Sequence, residues 1–310
     1  MKQILLIITF LILSCILKEL HSQGDTLSLY FLSDTQKSPE YEKLFLSSNN
    51  NDEARDLIFT SIKQNSPNSV FHLGDMVEFG FVPWEWEEIE NFVKDLRASN
   101  INFYATPGNH EYLMFPKWGM YEFSKRFPSI NIHGFTKKFG STAVVIFNSN
   151  FSQLTTQEKI EELDWFNLTL QNYESDSSIT YIIAGCHHSP FTNSKLVAPS
   201  YNDTIMINFL VKFYNSPKCI LFLSGHAHTY EHFFVNNKDF LVIGGGGGLS
   251  HPLYSGADAK FKDLINSPEG ERLFHYVTVK IYKKHLWVEL NMCSPDFKKI
   301  ITTGQLDFQQ

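Results

Sequence analysis

Five times along this chain a short apolar run breaks off into a cluster of aspartate, asparagine, glutamine or histidine. The clusters are Ser33-Asp34-Thr35-Gln36, Gly74-Asp75, Gly108-Asn109-His110-Glu111, Cys186-His187-His188-Ser189-Pro190 and Gly225-His226-Ala227-His228. The runs before them read as strands: Leu27 to Leu32, Ser69 to Leu73, Ile101 to Ala105, Ile179 to Gly185 and Cys219 to Leu223. Helices are expected between strands, over Asp52 to Gln64, Pro83 to Ala98, Thr156 to Tyr173 and Tyr201 to Tyr214. Pro83 and the acidic residues after it mark a helix start. Loops at one edge of a sheet converge in space, so this alternation can gather distant polar clusters into one site.

Ala143 to Asn148 is a further strand. Beyond Thr229 the pattern turns to strands and turns, with Phe240 to Ile243, His275 to Ile281 and Leu286 to Asn291 expected in an antiparallel sheet. Two stacked sheets with flanking helices, an α/β architecture, follow for a single domain over 25–310. No internal repeat or long linker interrupts it. The run Gly244 to Gly248 suits a tight loop of close backbone approach; without a following Gly-Lys-Ser/Thr it lacks the features of a phosphate loop.

Chemistry enters with the residue types in the clusters. A carboxylate such as Asp75 has two oxygens and can bridge two cations. Asn109 offers a neutral oxygen that holds an ion without adding charge. In His226-Ala227-His228 a turning backbone can send each imidazole to a neighbouring ion. Mixed nitrogen and oxygen donors suit zinc, manganese or iron. A lone Gly-Asp is an ordinary turn and a lone His-x-His is more often packed than ligating. All five clusters at strand ends, in one chain, are a different matter.

The set resembles the calcineurin-like metallophosphoesterase superfamily, whose pattern runs DxH, GD, GNH[DE], a strand-end His and GHxH. The resemblance covers about Leu27 to Leu306. His188-Ser189-Pro190 and Gly225-His226-Ala227-His228-Thr229-Tyr230-Glu231 are similar to the purple acid phosphatase branch. Two positions depart: Glu78 stands where that branch has an iron-binding Tyr, and Gln36 stands where most of the superfamily has His. The resemblance implies the calcineurin-like fold and two divalent or trivalent transition-metal ions, iron, manganese or zinc. Asp34, Asp75, His228 and a weaker Gln36 would hold the first ion. Asp75 would bridge to the second, completed by Asn109, His188 and His226. Of the adjacent imidazoles, the His-Ser-Pro match points to His188, with His187 as its alternative. Asp75 and His110 would be catalytic, His110 as charge stabiliser or general acid. Asn109, His110, His187 and His251 are candidate substrate contacts. The implied reaction is in-line attack of a metal-bridging hydroxide on a phosphomonoester or phosphodiester. Gln36 motivates an alternative, a catalytically weak phosphate- or ligand-binding surface lipoprotein that keeps the fold. Specificity is expected in Pro83 to Trp86, Tyr112 to Trp118 and Phe191 to Asn202.

Other features have ordinary explanations. Glu85, Glu87, Glu88 and Glu90 suit a solvated first helical turn. Ser189 beside His188 lacks the Gly-x-Ser-x-Gly context of a hydrolase nucleophile. Trp84 and Trp86 fit core or pocket rim. The formal charge of −7, with no basic run, argues against nucleic acid and leaves a small phosphate ester as the expected partner. Cys186, Cys219 and Cys293 show no CxxC spacing; one bridge or free thiols both fit. Lys2 and the apolar run Ile4 to Leu17 suit an export signal over 1–22, too short to span a bilayer as a helix. Ile12-Leu13-Ser14-Cys15 resembles a lipoprotein cleavage box, which would give a lipid anchor at Cys15. A periplasmic, extracellular or membrane-anchored location is the expectation.

Overall fold

The computed structural model describes residues 26–38, 50–128, 130, 133–265 and 274–309. The expected export signal, 1–22, and Cys15 lie outside the described residues. In chain order the elements are β1 (Leu27–Leu32), α1 (Asn51–Asn65), β2 (Ser69–His72), α2 (Glu87–Ala98), β3 (Asn102–Ala105), the single turn α3 (Asn109–Tyr112) and α4 (Pro116–Arg126). Then follow β4 (Gly134–Phe139), β5 (Thr142–Phe147), α5 (Thr156–Ser175), β6 (Tyr181–Cys186), α6 (Thr204–Asn215), β7 (Cys219–Ser224), β8 (Tyr230–Val235) and β9 (Lys238–Ile243). The chain closes with β10 (His275–Tyr282), β11 (His285–Cys293) and β12 (Ile300–Gln309).

The strands form two six-stranded sheets, ordered β12-β11-β10-β1-β2-β3 and β4-β5-β6-β7-β9-β8. In the first, β1, β2 and β3 run parallel; in the second, β5, β6, β7 and β9 do. Among them β5, β6 and β7 are apolar on both faces because both faces are covered. Leu29 and Phe31 of β1 point between the sheets, where they meet Val144, Ile146, Leu221 and Leu223. Tyr30 and Leu32, one residue out of phase, point outward onto the α1 and α2 layer with Ile58, Phe59 and Phe92. Val145 and Phe147 of β5 likewise face Phe166 of α5 and Phe209 of α6. The result is a two-sheet sandwich with helices on both outer faces, as the sequence pattern predicts.

Local signals set the element ends. Thr155 and Glu158 form a reciprocal cap on α5, and Asp203 caps α6 through the Ile205 and Met206 amides. Two expectations are corrected. The helix anticipated over Pro83 to Ala98 is a tight 3-10 turn, Pro83–Trp86, before α2. Trp86 is fully buried and its indole N–H donates to the Gly80 carbonyl, which tightens the chain there, while Trp84 is 76% exposed. Phe240 to Ile243 does not join the sheet of β10 and β11. It lies in the second sheet, parallel to β7 and paired with β8 through a hairpin. Asn236 and Asn237 make that hairpin, both with positive φ, in the pattern of a two-residue turn. Helix α4 occupies part of the segment Tyr112 to Trp118 anticipated as a loop. Cys186, Cys219 and Cys293 are free thiols.

Candidate metal centre

Every polar cluster leaves the carboxyl end of a parallel strand: Asp34 after β1, Asp75 after β2, Asn109 after β3, His187 after β6, and His226 and His228 after β7. Because the two sheets face each other, the ends of both converge. Donor atoms of Asp34, Asp75 and His187 lie within 4.8 Å of one another, as do those of His187, His188 and His226. Asp34, Asp75 and His226 all have left-handed backbone, with φ of 60°, 54° and 68°. That conformation costs a non-glycine residue on the order of 1–3 kcal/mol and persists where the surroundings demand it. Here the demand comes from sharp strand exits that turn the side chains back toward one point.

On one side of the centre, His187 is wholly buried. Its Nδ1 lies 2.9 Å from the Leu73 carbonyl oxygen, which can only accept, so Nδ1 carries hydrogen. Nε2 then faces two oxygens, Asn109 Oδ1 at 3.0 Å and Asp75 Oδ2 at 3.2 Å. A protonated ring donates to these oxygens through Nε2–H; a neutral ring turns its Nε2 lone pair to the same point, where a cation could be shared with them. Burial lowers the His187 imidazole most strongly of any single cause, but the charge and hydrogen bond of Asp75, together with Asp34 and Glu111, lift the group to about 9. Burial alone would raise the Asp75 carboxyl, yet His187 and His110 beside it pull it far below the usual carboxylate range. The rings of His188 and His226 are 4.5 Å apart, and burial with neighbouring imidazoles holds both neutral, His188 down to about 3. His188 Nδ1 is 2.9 Å from the Ser149 hydroxyl.

On the other side, both Asp34 oxygens accept from the His226 amide, at 3.1 and 3.0 Å. His228 is oriented like His187: Nδ1 donates to the Leu249 carbonyl at 2.6 Å, which leaves Nε2 3.4 Å from Asp34 Oδ1. Gln36 Nε2 stands 3.2 Å from that same ring nitrogen. Gln36 Oε1 is buried and has no hydrogen-bond partner among the described residues. His251 stacks on His228 with centroids 4.3 Å apart and accepts from the His228 amide at Nδ1. The glycine run makes this stack fit, since a Cβ on Gly248 would lie 2.6 Å from the His228 ring.

These residues fit a pair of cations. Two buried carboxylates, imidazoles with Nε2 turned inward and an orphaned amide oxygen are a mixed nitrogen and oxygen donor set. A buried acceptor without a donor costs about 1–3 kcal/mol, a cost that an ion at Gln36 Oε1 would remove.

The sequence profile of calcineurin-like phosphoesterases matches residues 27–230, more than half of the chain. The chain belongs to that family. Solved structures agree on the fold. The purple acid phosphatase PPD1 of yellow lupin (Lupinus luteus) superposes with a TM-score of 0.60 at 15% identity, over 90% of this chain and 53% of that one. The chain therefore spans about half the length of the lupin protein. GAP50 of Plasmodium, the anchor in the inner membrane complex, gives 0.61 at 15% identity over 92% and 90%. A dimetal phosphatase of Danio rerio gives 0.56 at 11% over 90% and 98%. No curated protein sequence matches.

Within this family member, two acidic residues have structural roles that their sequence positions did not reveal. Glu111 is fully buried and its carboxylate accepts from three backbone amides, those of Asp75, Met76 and Gly108. It thereby ties the strand ends carrying Asp75 and Asn109 together. Burial and the Asp75 charge push Glu111 up to about 7 against those hydrogen bonds. Glu78 holds His110: its carbonyl takes His110 Nδ1 at 2.9 Å and its carboxylate lies 3.3 Å away. Burial lowers the His110 imidazole, but Asp75 and Glu78 prevail and raise it to about 9. The acid inside Gly108-Asn109-His110-Glu111 was the available signal for Glu111; Glu78 carried none beyond its place after Gly74-Asp75.

Proposed function

We propose that this chain hydrolyses phosphate esters at a pair of transition-metal ions, iron, manganese or zinc. Asp34, Gln36 Oε1 and His228 Nε2 would hold the first, Asp75 would lie between, and Asn109 Oδ1, His187 Nε2 and His226 would hold the second. His187 is preferred to His188 because its Nε2 faces Asp75 and Asn109 directly; His188 adds a further imidazole beside His226. Such a pair supplies an activated water and neutralises charge on the phosphoryl oxygens. The water oxygen bonds to phosphorus as the ester P–O bond breaks. His110, held by the Glu78 carbonyl and carboxylate, would give its proton to the departing oxygen.

The observation that carries this reading is the meeting of Asp34, Asp75 and His187, from three separate strand ends, within 4.8 Å. Phosphatases among the similar folds support it. A second reading rests on Gln36: a phosphate- or ligand-binding protein that keeps the fold with one weak metal position. The test is hydrolysis of para-nitrophenyl phosphate and its bis-ester with manganese, iron or zinc, alongside metal analysis. Metal-dependent turnover that Asp75→Asn lowers on the order of 1,000-fold supports the hydrolase. Fewer than two bound equivalents with no turnover supports the second reading instead.

A further inference from the structure

His251 lies against the metal centre, yet no step of the proposed hydrolysis uses it. Its ring stacks on that of His228, with centroids 4.3 Å apart and planes 23° from parallel. Two donors hold it at Nδ1, the His228 amide at 3.3 Å and the Ser194 hydroxyl at 3.1 Å. The direction of the second bond follows from Ser194 itself. Its oxygen accepts from the amides of Leu196 and Val197, at 3.1 and 3.2 Å, so its one hydrogen is left for His251. A ring nitrogen that accepts an amide hydrogen carries none of its own, so the ring hydrogen of His251 sits on Nε2; a protonated ring would carry one there too. That N–H has no hydrogen-bond partner among the described residues and is not sealed from solvent. With Nδ1 held at the His228 amide, Nε2–H points away from the His228 backbone, as the His228 ring does on its way to Asp34. Burial and the His228 ring weigh most on the acidity of His251, and the charges of Asp75 and His110 reach it as well.

The two loops that carry this arrangement are pinned to each other. Ser194 bridges to Leu253, the Lys195 amide donates to the Pro252 carbonyl at 2.9 Å and the Tyr254 amide to that of Asn193 at 2.7 Å. A donor with no partner is thus fixed beside the first metal position before any ligand arrives. We propose that His251 Nε2–H donates to a terminal phosphoryl oxygen, and that it selects phosphomonoesters over phosphodiesters. The inference rests on the phosphoesterase reading, which supplies the phosphoryl group. A monoester has three terminal oxygens; in a diester one of them is esterified, carries less charge and accepts more weakly. A fixed N–H beside a pair of cations adds a contact that the third terminal oxygen satisfies better than an ester oxygen. A hydrogen bond to a charged oxygen discriminates by about 10- to 100-fold.

The experiment measures by calorimetry the binding of methylphosphonate, with three terminal oxygens, and dimethylphosphinate, with two, to the metal-loaded protein. Both ligands hold carbon directly on phosphorus and have no ester to hydrolyse. His251→Phe keeps a ring against His228, and His251→Asn keeps an acceptor for the two donors; both remove Nε2–H. Wild type should bind the phosphonate at least about tenfold more tightly than the phosphinate. Each variant should weaken the phosphonate by about tenfold and the phosphinate by less than about twofold, with metal stoichiometry and metal affinity unchanged. Each should also reduce the kcat/KM preference for para-nitrophenyl phosphate over its bis-ester by a similar factor. A wild-type ratio near one, or equal losses for the two ligands, overturns the proposal. So does weakened metal binding with an unchanged ligand ratio, since His251 would then only support His228. Turnover that persists with an unchanged ligand ratio in both variants overturns the donor and leaves the hydrolase standing. The expected binding pattern without turnover of either ester supports the donor and removes the hydrolase reading.

Discussion

The two sides of the metal centre are built from the same materials in different proportions. The side of Asp75 and Asn109 has three imidazoles, those of His187, His188 and His226, drawn within 4.8 Å. The side of Asp34 has the inward imidazole of His228 and an amide, Gln36, whose oxygen lacks a partner among the described residues. A neutral amide oxygen is a weaker donor to a transition metal than an imidazole nitrogen. The difference teaches that the two positions should not be equivalent: one is over-supplied with nitrogen, the other depends on its carboxylate. Second-sphere order is similar on both sides, because a backbone carbonyl fixes the tautomer of His187 as it does that of His228. The asymmetry is therefore one of donors, not of preorganisation.

The sharpest way to break this comparison is to remove one imidazole from the rich side. His187→Ala should reduce bound metal from about two equivalents to one and cut kcat/KM by on the order of 1,000-fold. His188→Ala should retain both equivalents with metal affinity about 10- to 100-fold weaker. Metal analysis and activity of the two variants side by side decide it; the reverse ranking would make His188 the ligand. A smaller effect is expected from enriching the poor side. Gln36→His should tighten the weaker metal equivalent by about tenfold in a chelator titration, and unchanged affinity would remove the amide as the cause of the asymmetry.

The smallest effect concerns pH. Without metal, Asp75 and Glu78 together raise His110 to about 9 against burial, and Glu78 is the charge that a metal pair at Asp75 would leave in place. Removing one of the two negative charges lowers that value. Glu78→Gln should shift the alkaline limb of the kcat profile to lower pH, by about one unit, and leave metal stoichiometry unchanged. A fixed alkaline limb would mean that another group donates the proton.

Much of this was legible in the sequence because it is local. Short apolar runs such as Leu27–Leu32 and Thr142–Phe147 mark buried strands, and the Asp, Asn or His that follows the runs at Asp34, Asp75, Asn109, His187 and His226 marks where the donors emerge. Asn236-Asn237 also carried a hairpin signal, and reading it would have placed Phe240 to Ile243 beside Tyr230–Val235. The break before α2 was harder. Propensity makes Pro83 to Ala98 one helix, and only the burial of Trp86 against Gly80 tightens its first turn.

The amino-acid order alone determined which chemical groups are available and that strand ends present them, since both follow from short-range pattern and side-chain chemistry. Which nitrogen of each histidine turns inward was decided by tertiary structure. Leu73 stands 114 positions before His187, and Leu249 is 21 beyond His228. The same holds for Glu111, which gathers the amides of Asp75 and Met76, 36 and 35 residues away. Hydrogen bonds act over about 3 Å, so these partners meet only when strands pair within a sheet, as for Glu111 with Asp75 and His228 with Leu249, or when the two sheets close on each other, as for Leu73 with His187.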